Sequence, residues 1–360
     1  MASFLARVLD LLVEGGFAST ASAGVHLGHV FIINLENKGF DKTWGEGSPA
    51  TFLNGTLRPQ GRLLTQYYGT AHASLGNYIA QISGQGPNPD TQADCGTFSD
   101  FASTGTGAYG QELGRGCALP SNVKTISDQL TAAGKTWRSY NEDIGNSATE
   151  PKTCRHPAIG AADPTLGARV GDQYATRHDP FVYFHSIIDD QASCDAHVVG
   201  TDVLSNDLAS EATTANYTYI TPNLCHDGHD TPCVDGQPGG LVSADQFLHD
   251  VVPGILASPA FVHDGLLVIT FDESDGGDST GCCNTPPSPN TAQPGGSGPG
   301  GGRVGALLIS PEIAHGTQNV TPYNHYALLC SVENLFGLDH LGFAGAPGLD
   351  CFSNDVYARP

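Results

Sequence analysis

A chain of 360 residues with 39% hydrophobic content is long enough to bury one large core or two smaller ones. Its 15 Lys and Arg stand against 37 Asp and Glu, a formal charge of −22, and this argues against nucleic acid as the main partner, because duplex binding needs basic clusters. A phosphate-bearing small molecule stays compatible with that charge, since one metal ion and a few donors can hold a phosphoryl group locally.

In chain order, residues 1–28 read as a leader or a segment outside the fold. Phe4-Leu5-Ala6 and Leu11-Leu12-Val13 are apolar and Ala21-Ser22-Ala23 is small, although Asp10 and Glu14 interrupt the apolar region that a secretory signal needs. Residues 29–360 read as one domain. His29 to Leu35 is a short β-branched run, predicting a strand buried on both faces, and it stops at Glu36-Asn37. A helix follows from about Leu75 to Ser83, with Gly84-Gln85-Gly86-Pro87 as a turn. Residues 86–120, rich in Gly, Ser and Thr, read as a long loop tied down by bridges. Thr125 to Ala133 has helical spacing and Gly134 as its stop, and Thr136 to Tyr140 reads as a strand leading to Glu142 and Asp143.

A further unit runs from Pro180-Phe181-Val182-Tyr183-Phe184 through a helix over Asp202–Ala212 into a strand at Tyr217–Ile220. Ser243 to Ile255 predicts a helix, and Leu266 to Phe271 a second buried strand that stops at Asp272-Glu273. Gly276 to Gly302 is nearly all loop-forming residues. Arg303 to Ser310 then predicts a strand and Asn324 to Phe336 a helix closed by Gly337. This alternation predicts an α/β domain with a doubly wound, mostly parallel sheet sandwiched by helices.

Ten cysteines form an even set without the C-x₂-C spacing of a zinc ribbon, which favours up to five disulfides and a secreted, extracytoplasmic location. Cys225 with Cys233 is the first pairing to expect. No stretch reaches the roughly 18 uninterrupted apolar residues of a membrane span, so no integral membrane segment is expected.

The two buried strands that end in Glu36-Asn37 and Asp272-Glu273 carry the strongest functional signal. In an open parallel sheet the ligand lies outside the carboxyl ends of the strands, so these oxygen-bearing side chains converge there. Convergent carboxylates repel unless a cation or proton lies between them, which predicts a divalent metal site. Structural calcium, held by Asp272 and Glu273 with Asp275 and Asp278, is the alternative on the same chemistry.

Several blocks in one order resemble a known family. Glu36-Asn37-Lys38-Gly39-Phe40-Asp41, then His72-Ala73-Ser74-Leu75-Gly76-Asn77-Tyr78, then Pro222-Asn223-Leu224-Cys225-His226-Asp227-Gly228-His229-Asp230, then Thr270-Phe271-Asp272-Glu273, then Asn324-His325-Tyr326 are similar to the phosphoesterase family. That family contains bacterial phospholipases C and secreted acid phosphatases and belongs to the alkaline phosphatase superfamily. Gly39 and Gly76 depart from its usual Ser and Pro.

The resemblance implies an alkaline-phosphatase-like fold and a metal-dependent phosphomonoester hydrolase of the acid phosphatase type, with a phosphoserine intermediate. Ser74 is the implied nucleophile. Glu36, Asn37, Asp272 and Glu273, completed by Ser74, are the implied ligands of one divalent ion, for which Zn, Ca, Mg and Mn all remain open. Asn77 would donate to a phosphoryl oxygen, and His72, His226 and His325 would hold the phosphoryl group or protonate the leaving oxygen. Asp227, His229, His178 and Glu142 are supporting candidates. Two-zinc relatives carry Asp-x₃-His where this chain reads Asn223-x₃-Asp227, which implies a single ion. The expected partner is a small phosphate ester or a phospholipid headgroup. A phospholipase C acting on a lipid diester, and a metal- or ligand-binding module without turnover, are the alternative functions.

Overall fold

A computed structural model describes residues 27–358, so the expected leader lies outside the described residues except for Leu27 and Gly28. The strand His29–Leu35 (β1) is buried along its whole length. An apolar run of that kind has no face to offer water, so it sits at the centre of a sheet covered on both sides. Around it lie Arg62–Leu64 (β2), Trp137–Asn141 (β3), Val198–Gly200 (β4), Tyr217–Thr221 (β5), Gly265–Phe271 (β6), Ala306–Ile309 (β7) and Thr317–Asn319 (β8).

These eight strands form one sheet in the order β8-β2-β7-β6-β1-β5-β3-β4. β7 pairs antiparallel with both β6 and β2, whereas the remaining pairs are parallel, so β7 alone runs against the rest. The mixed α/β, mostly parallel architecture expected from the alternation of elements is therefore present. The register of β1 and β6 pairs Leu35 with Phe271, which brings the next residues, Glu36 and Asp272, side by side at one edge.

The principal helices are Ser74–Ser83 (α1), Ile126–Ala132 (α2), Gly240–Ala257 (α3) and His325–Phe336 (α4). Each starts or stops where local chemistry dictates. α2 opens with a reciprocal capping box between Thr125 and Asp128. Asn324 Oδ1 accepts from Ala327 N at 3.0 Å to open α4, which closes at Gly337 in the left-handed region. Every residue of α1 is buried, so this helix is part of the core.

Two segments differ from the sequence reading. Residues 86–120, expected as a loop, contain the antiparallel pair Ala102–Thr106 and Glu112–Arg115. The helix expected over Asp202–Ala212 shrinks to a turn at Thr201–Val203 and one helical turn at Leu204–Asp207. There the hydroxyls of Thr213 and Thr214 donate to Asp207 O and Ser210 O, binding carbonyls in a pattern that competes with helix continuation.

The Gly/Pro-rich stretch 276–302 contains no helix or strand, and backbone bonds fasten it to the sheet edge. Its contacts include His72 N to Pro294 O at 2.9 Å, Ser274 N to Gly301 O at 2.7 Å and Gly69 N to Gly302 O at 2.9 Å. A Cβ at Gly301 would lie 2.3 Å from Ala71 O, so only glycine permits this approach. All ten cysteines pair: 95 with 117, 154 with 194, 225 with 233, 282 with 283, and 330 with 351. The expected Cys225–Cys233 pair is among them. No helix of the described residues is long and apolar enough to cross a membrane.

Candidate active site

Backbone hydrogen bonds place three carboxylates side by side at the sheet edge. Asp272 N donates to Leu35 O at 2.8 Å, and Glu36 N donates to Asp227 O at 2.8 Å, so Glu36 lies between Asp272 and Asp227. The three side chains are buried. Asn37 follows with a left-handed backbone (φ 49), and its amide donates to Asp272 Oδ1 at 3.0 Å. Glu273 N donates to the same oxygen at 2.6 Å. The second oxygens, Glu36 Oε1, Asp272 Oδ2 and Asp227 Oδ2, are buried and accept no hydrogen bond.

Helix α1 delivers one face to this edge. Ser74, Asn77 and Tyr78 recur at helical spacing and therefore point the same way. Ser74 Oγ donates to Glu36 Oε2 at 2.8 Å, and Asn37 Nδ2 donates to the same oxygen at 2.7 Å. Asn77 braces the preceding loop. Its Oδ1 accepts from Thr70 N and Ala71 N, each at 2.8 Å, while Nδ2 donates to Ala71 O at 3.0 Å and Glu273 Oε2 at 3.1 Å. An amide committed in this way positions Glu273 and the 70–73 loop. Tyr78 stacks on His178 with ring centroids 5.2 Å apart.

His178 is the buried centrepiece of the second layer. Its Nε2 lies 3.3 Å from Glu36 Oε1 and its Nδ1 3.4 Å from Asp227 Oδ2, and its carbonyl accepts from Thr221 Oγ1 at 3.1 Å. Burial pulls its pKa down to about 3, so the ring is neutral.

The other histidines take distinct places. His72 lies with Nδ1 3.0 Å from Glu273 Oε2 and Nε2 3.0 Å from Asp278 O. His325 is fully enclosed, with Nε2 2.5 Å from Asp272 O and Nδ1 3.0 Å from Tyr67 Oη, so it braces the backbone behind Asp272. His226 turns its Nδ1 to Glu142, at 2.8 Å and 3.0 Å from the two carboxylate oxygens. Both His226 and Glu142 line a cavity of about 940 Å³ beside the turn. His229 is exposed, with Nδ1 2.8 Å from Asp230 Oδ1, and its charged form is favoured by that bond and by the nearby Glu36 and Asp227.

The sequence candidates therefore fall into three groups. The structure brings Glu36, Asn37, Ser74, Asn77, Asp272, Glu273, His72, His178, Asp227 and His325 together, His226 and Glu142 face the neighbouring cavity, and His229 stands exposed beside Asp230. Asp275 and Asp278 have partners of their own. Asp275 accepts from Gly39 N and Lys42, and Asp278 accepts from Arg303 N and Thr280. Asn223 caps the turn ahead of Asp227, accepting from Cys225 N and His226 N at 3.0 Å each.

The two departures from the family pattern are accommodated. A Cβ at Gly39 would stand 3.0 Å from Asp275 Oδ1, and one at Gly76 would stand 2.9 Å from Ala71 Cβ. These glycines admit neighbours close to the site without displacing Ser74. Sequence reasoning passed over Asp94 and Arg177, whose ionic groups stand near the start of α1. Their only signal was an Asp immediately before Cys95 and a cation immediately before His178.

Burial, followed by the charge of Asp272, pushes the Glu36 pKa far up, and burial likewise raises Asp227, Asp272 and Glu273. Four such carboxylates favour a state in which protons or a cation lie among them. Glu36 Oε1 and Asp272 Oδ2 are orphaned acceptors in a hard oxygen set that also offers Ser74 Oγ and the Asn37 side chain, so the residues fit a divalent ion.

The Phosphoesterase family profile matches residues 50–339. A probable acid phosphatase from Kluyveromyces lactis is 27% identical over 315 residues, covering 87% of this chain and 59% of that protein. A phosphatidylinositol-3-phosphatase from Mycobacterium tuberculosis is 24% identical over 349 residues, covering 95% of this chain and 87% of that one. The chain thus spans a little over half the length of the yeast relative. Among solved structures, a protein from a Bacteroides thetaiotaomicron study of glycosaminoglycan metabolism shares the fold. Its TM-score is 0.52 at 10% identity, with 92% of this chain and 82% of that one covered. With a profile match over most of its length, the chain belongs to the phosphoesterase family.

Proposed function

We propose that this protein is a secreted, metal-dependent phosphomonoester hydrolase acting through a phosphoserine at Ser74. The observation that carries the reading is Ser74 Oγ, 2.8 Å from Glu36 Oε2 at the start of a buried helix, beside Glu36 Oε1 and Asp272 Oδ2, which accept no hydrogen bond. Glu36, Asn37, Ser74 and Asp272 would hold the ion, and Glu273 would fix His72 and Asn77 beside it. A divalent ion bound there supplies charge that stabilises a serine alkoxide and the phosphoryl oxygens.

The chain's own groups account for the proton movements. Glu36 Oε2 accepts the Ser74 proton as the Oγ–P bond forms and the bond from phosphorus to the leaving oxygen breaks. His229, whose protonated form is favoured by Asp230 and which is open to solvent, donates a proton to that oxygen. The neutral imidazole then takes a proton from water, whose oxygen attacks phosphorus, and Ser74 leaves with its proton restored. His178 packs between Glu36 and Asp227, and His325 braces the Asp272 backbone throughout.

The names of the relatives support monoester chemistry, and that of the mycobacterial relative supports a lipid headgroup phosphate as a second substrate class. Five disulfide pairs support an extracytoplasmic location. The test is hydrolysis of a chromogenic phosphate monoester, a phosphatidylinositol phosphate and a phosphocholine diester by wild type and Ser74→Ala, after chelation and metal add-back. Monoester turnover restored by metal and reduced at least about a thousandfold in Ser74→Ala is expected. Diester preference would instead make it a phospholipase C. Absence of turnover across metals and pH would leave a binding module.

A further inference from the structure

Helix α1 begins without a cap of its own. Ala73 occupies the capping position and has no side-chain oxygen. The amide of Leu75, next after Ser74, is satisfied from outside, by Asp94 Oδ1 at 3.1 Å. Three constraints put Asp94 there. Its backbone and that of Cys95 are both left-handed (φ 48 and 50), and Cys95 is bridged to Cys117. Arg177 stands with Nε 3.9 Å from Asp94 Oδ2, its own Nη1 tied to the carbonyls of Thr165 and Leu166. The charges of Arg177, His229 and Asp163 act on Asp94, and that of Asp94 acts on Glu273.

A phosphoryl group on Ser74 would lie over this same helix end, where the Leu75 amide would be a donor to its oxygens. Two anions then compete for one N–H. We propose that Asp94 is a displaceable anionic cap: its carboxylate holds the Leu75 amide in the resting protein, yields it toward Arg177 when a phosphoryl group arrives, and weakens retention of product phosphate. The inference rests on Ser74 being the phosphoryl acceptor and concerns how the site lets go of its product. Asp94 is thus a positioning residue, acting on phosphate through the amide it occupies.

The experiment is calorimetric titration of the metal-loaded protein with inorganic phosphate, for wild type and Asp94→Asn. Asparagine keeps the acceptor for the Leu75 amide and removes the charge. Removal of one nearby negative charge is expected to tighten phosphate binding about tenfold, with the phosphate inhibition constant of monoester hydrolysis falling in parallel. Equal or weaker phosphate binding by Asp94→Asn overturns the inference. Asp94→Ser, which also caps, is measured in the same way if the asparagine variant does not fold. A wild-type protein that binds phosphate and hydrolyses monoester, with Asp94→Asn no tighter, sinks the inference and leaves the proposed function standing. A wild type that does neither sinks both.

Discussion

Two histidines three residues apart have opposite surroundings. His226 is clamped by both oxygens of Glu142 and faces the large cavity, whereas His229 is exposed and lies within reach of the charges of Glu36 and Asp227. His229→Gln is expected to lower kcat by at least about a hundredfold, as loss of a general acid does. His226→Gln should cost less than about tenfold in kcat and act mainly on melting temperature. Steady-state kinetics and thermal denaturation of both variants check this, and equal kcat losses would refute the assignment. Sequence alone could not separate them: both stand in the run His226-Asp227-Gly228-His229-Asp230, and the turn capped by Asn223 decides which ring faces the cluster. Asn77 shows the same limit, since its residue type suited a phosphate donor while its neighbours commit both ends of its amide.

Among the elements, α4 carries a buried acid outside the site. Glu333 Oε1 accepts from Leu341 N at 2.9 Å while Oε2 has no partner, and burial pushes its pKa up to about 9. A carboxyl raised in the folded state contributes stability that is full below its unfolded pKa of about 4.5 and lost as pH rises through the folded value. Glu333→Gln keeps the acceptor and cannot ionise. Its melting temperature should therefore exceed that of wild type by several degrees at about pH 8.5 and converge with it near pH 4.5. A constant offset across that range, followed by calorimetry, would contradict the account. Most elements were legible because their signals are local: buried runs for β1 and β6, Gly337 for the end of α4, and Thr125 with Asp128 for the start of α2. The segment after Asp202 was not, because hydroxyl groups around residue 213 outcompete helix bonds that periodicity alone would predict.

For the whole molecule, the surplus of acid and the four raised carboxylates of the cluster act in the same direction. Without an ion, Glu36, Asp227, Asp272 and Glu273 favour the folded state when protonated, and that stability is lost as pH rises through their raised values. Metal removal should therefore lower the melting temperature strongly at about pH 7.5 and little at about pH 5, with metal add-back reversing the loss. Differential scanning calorimetry of metal-stripped and reloaded protein in the two buffers decides it, and an equal shift in both would speak against carboxylate ligation. The location of this cluster was readable from sequence because both tandems follow buried strands. The contributions of Asp94 and Arg177 were not, since loops far apart in the chain bring them to α1.

The row formed by Asp272, Glu36 and Asp227 has one more consequence. Because the pairing of β1 with β6 runs up to Leu35 and Phe271, the separation of the next residues, Glu36 and Asp272, follows the interstrand repeat of about 4.8 Å. The sheet thus serves as a ruler for these two. Substitution at either position changes which donor atom stands at a graduation, and the graduation itself stays fixed by the backbone.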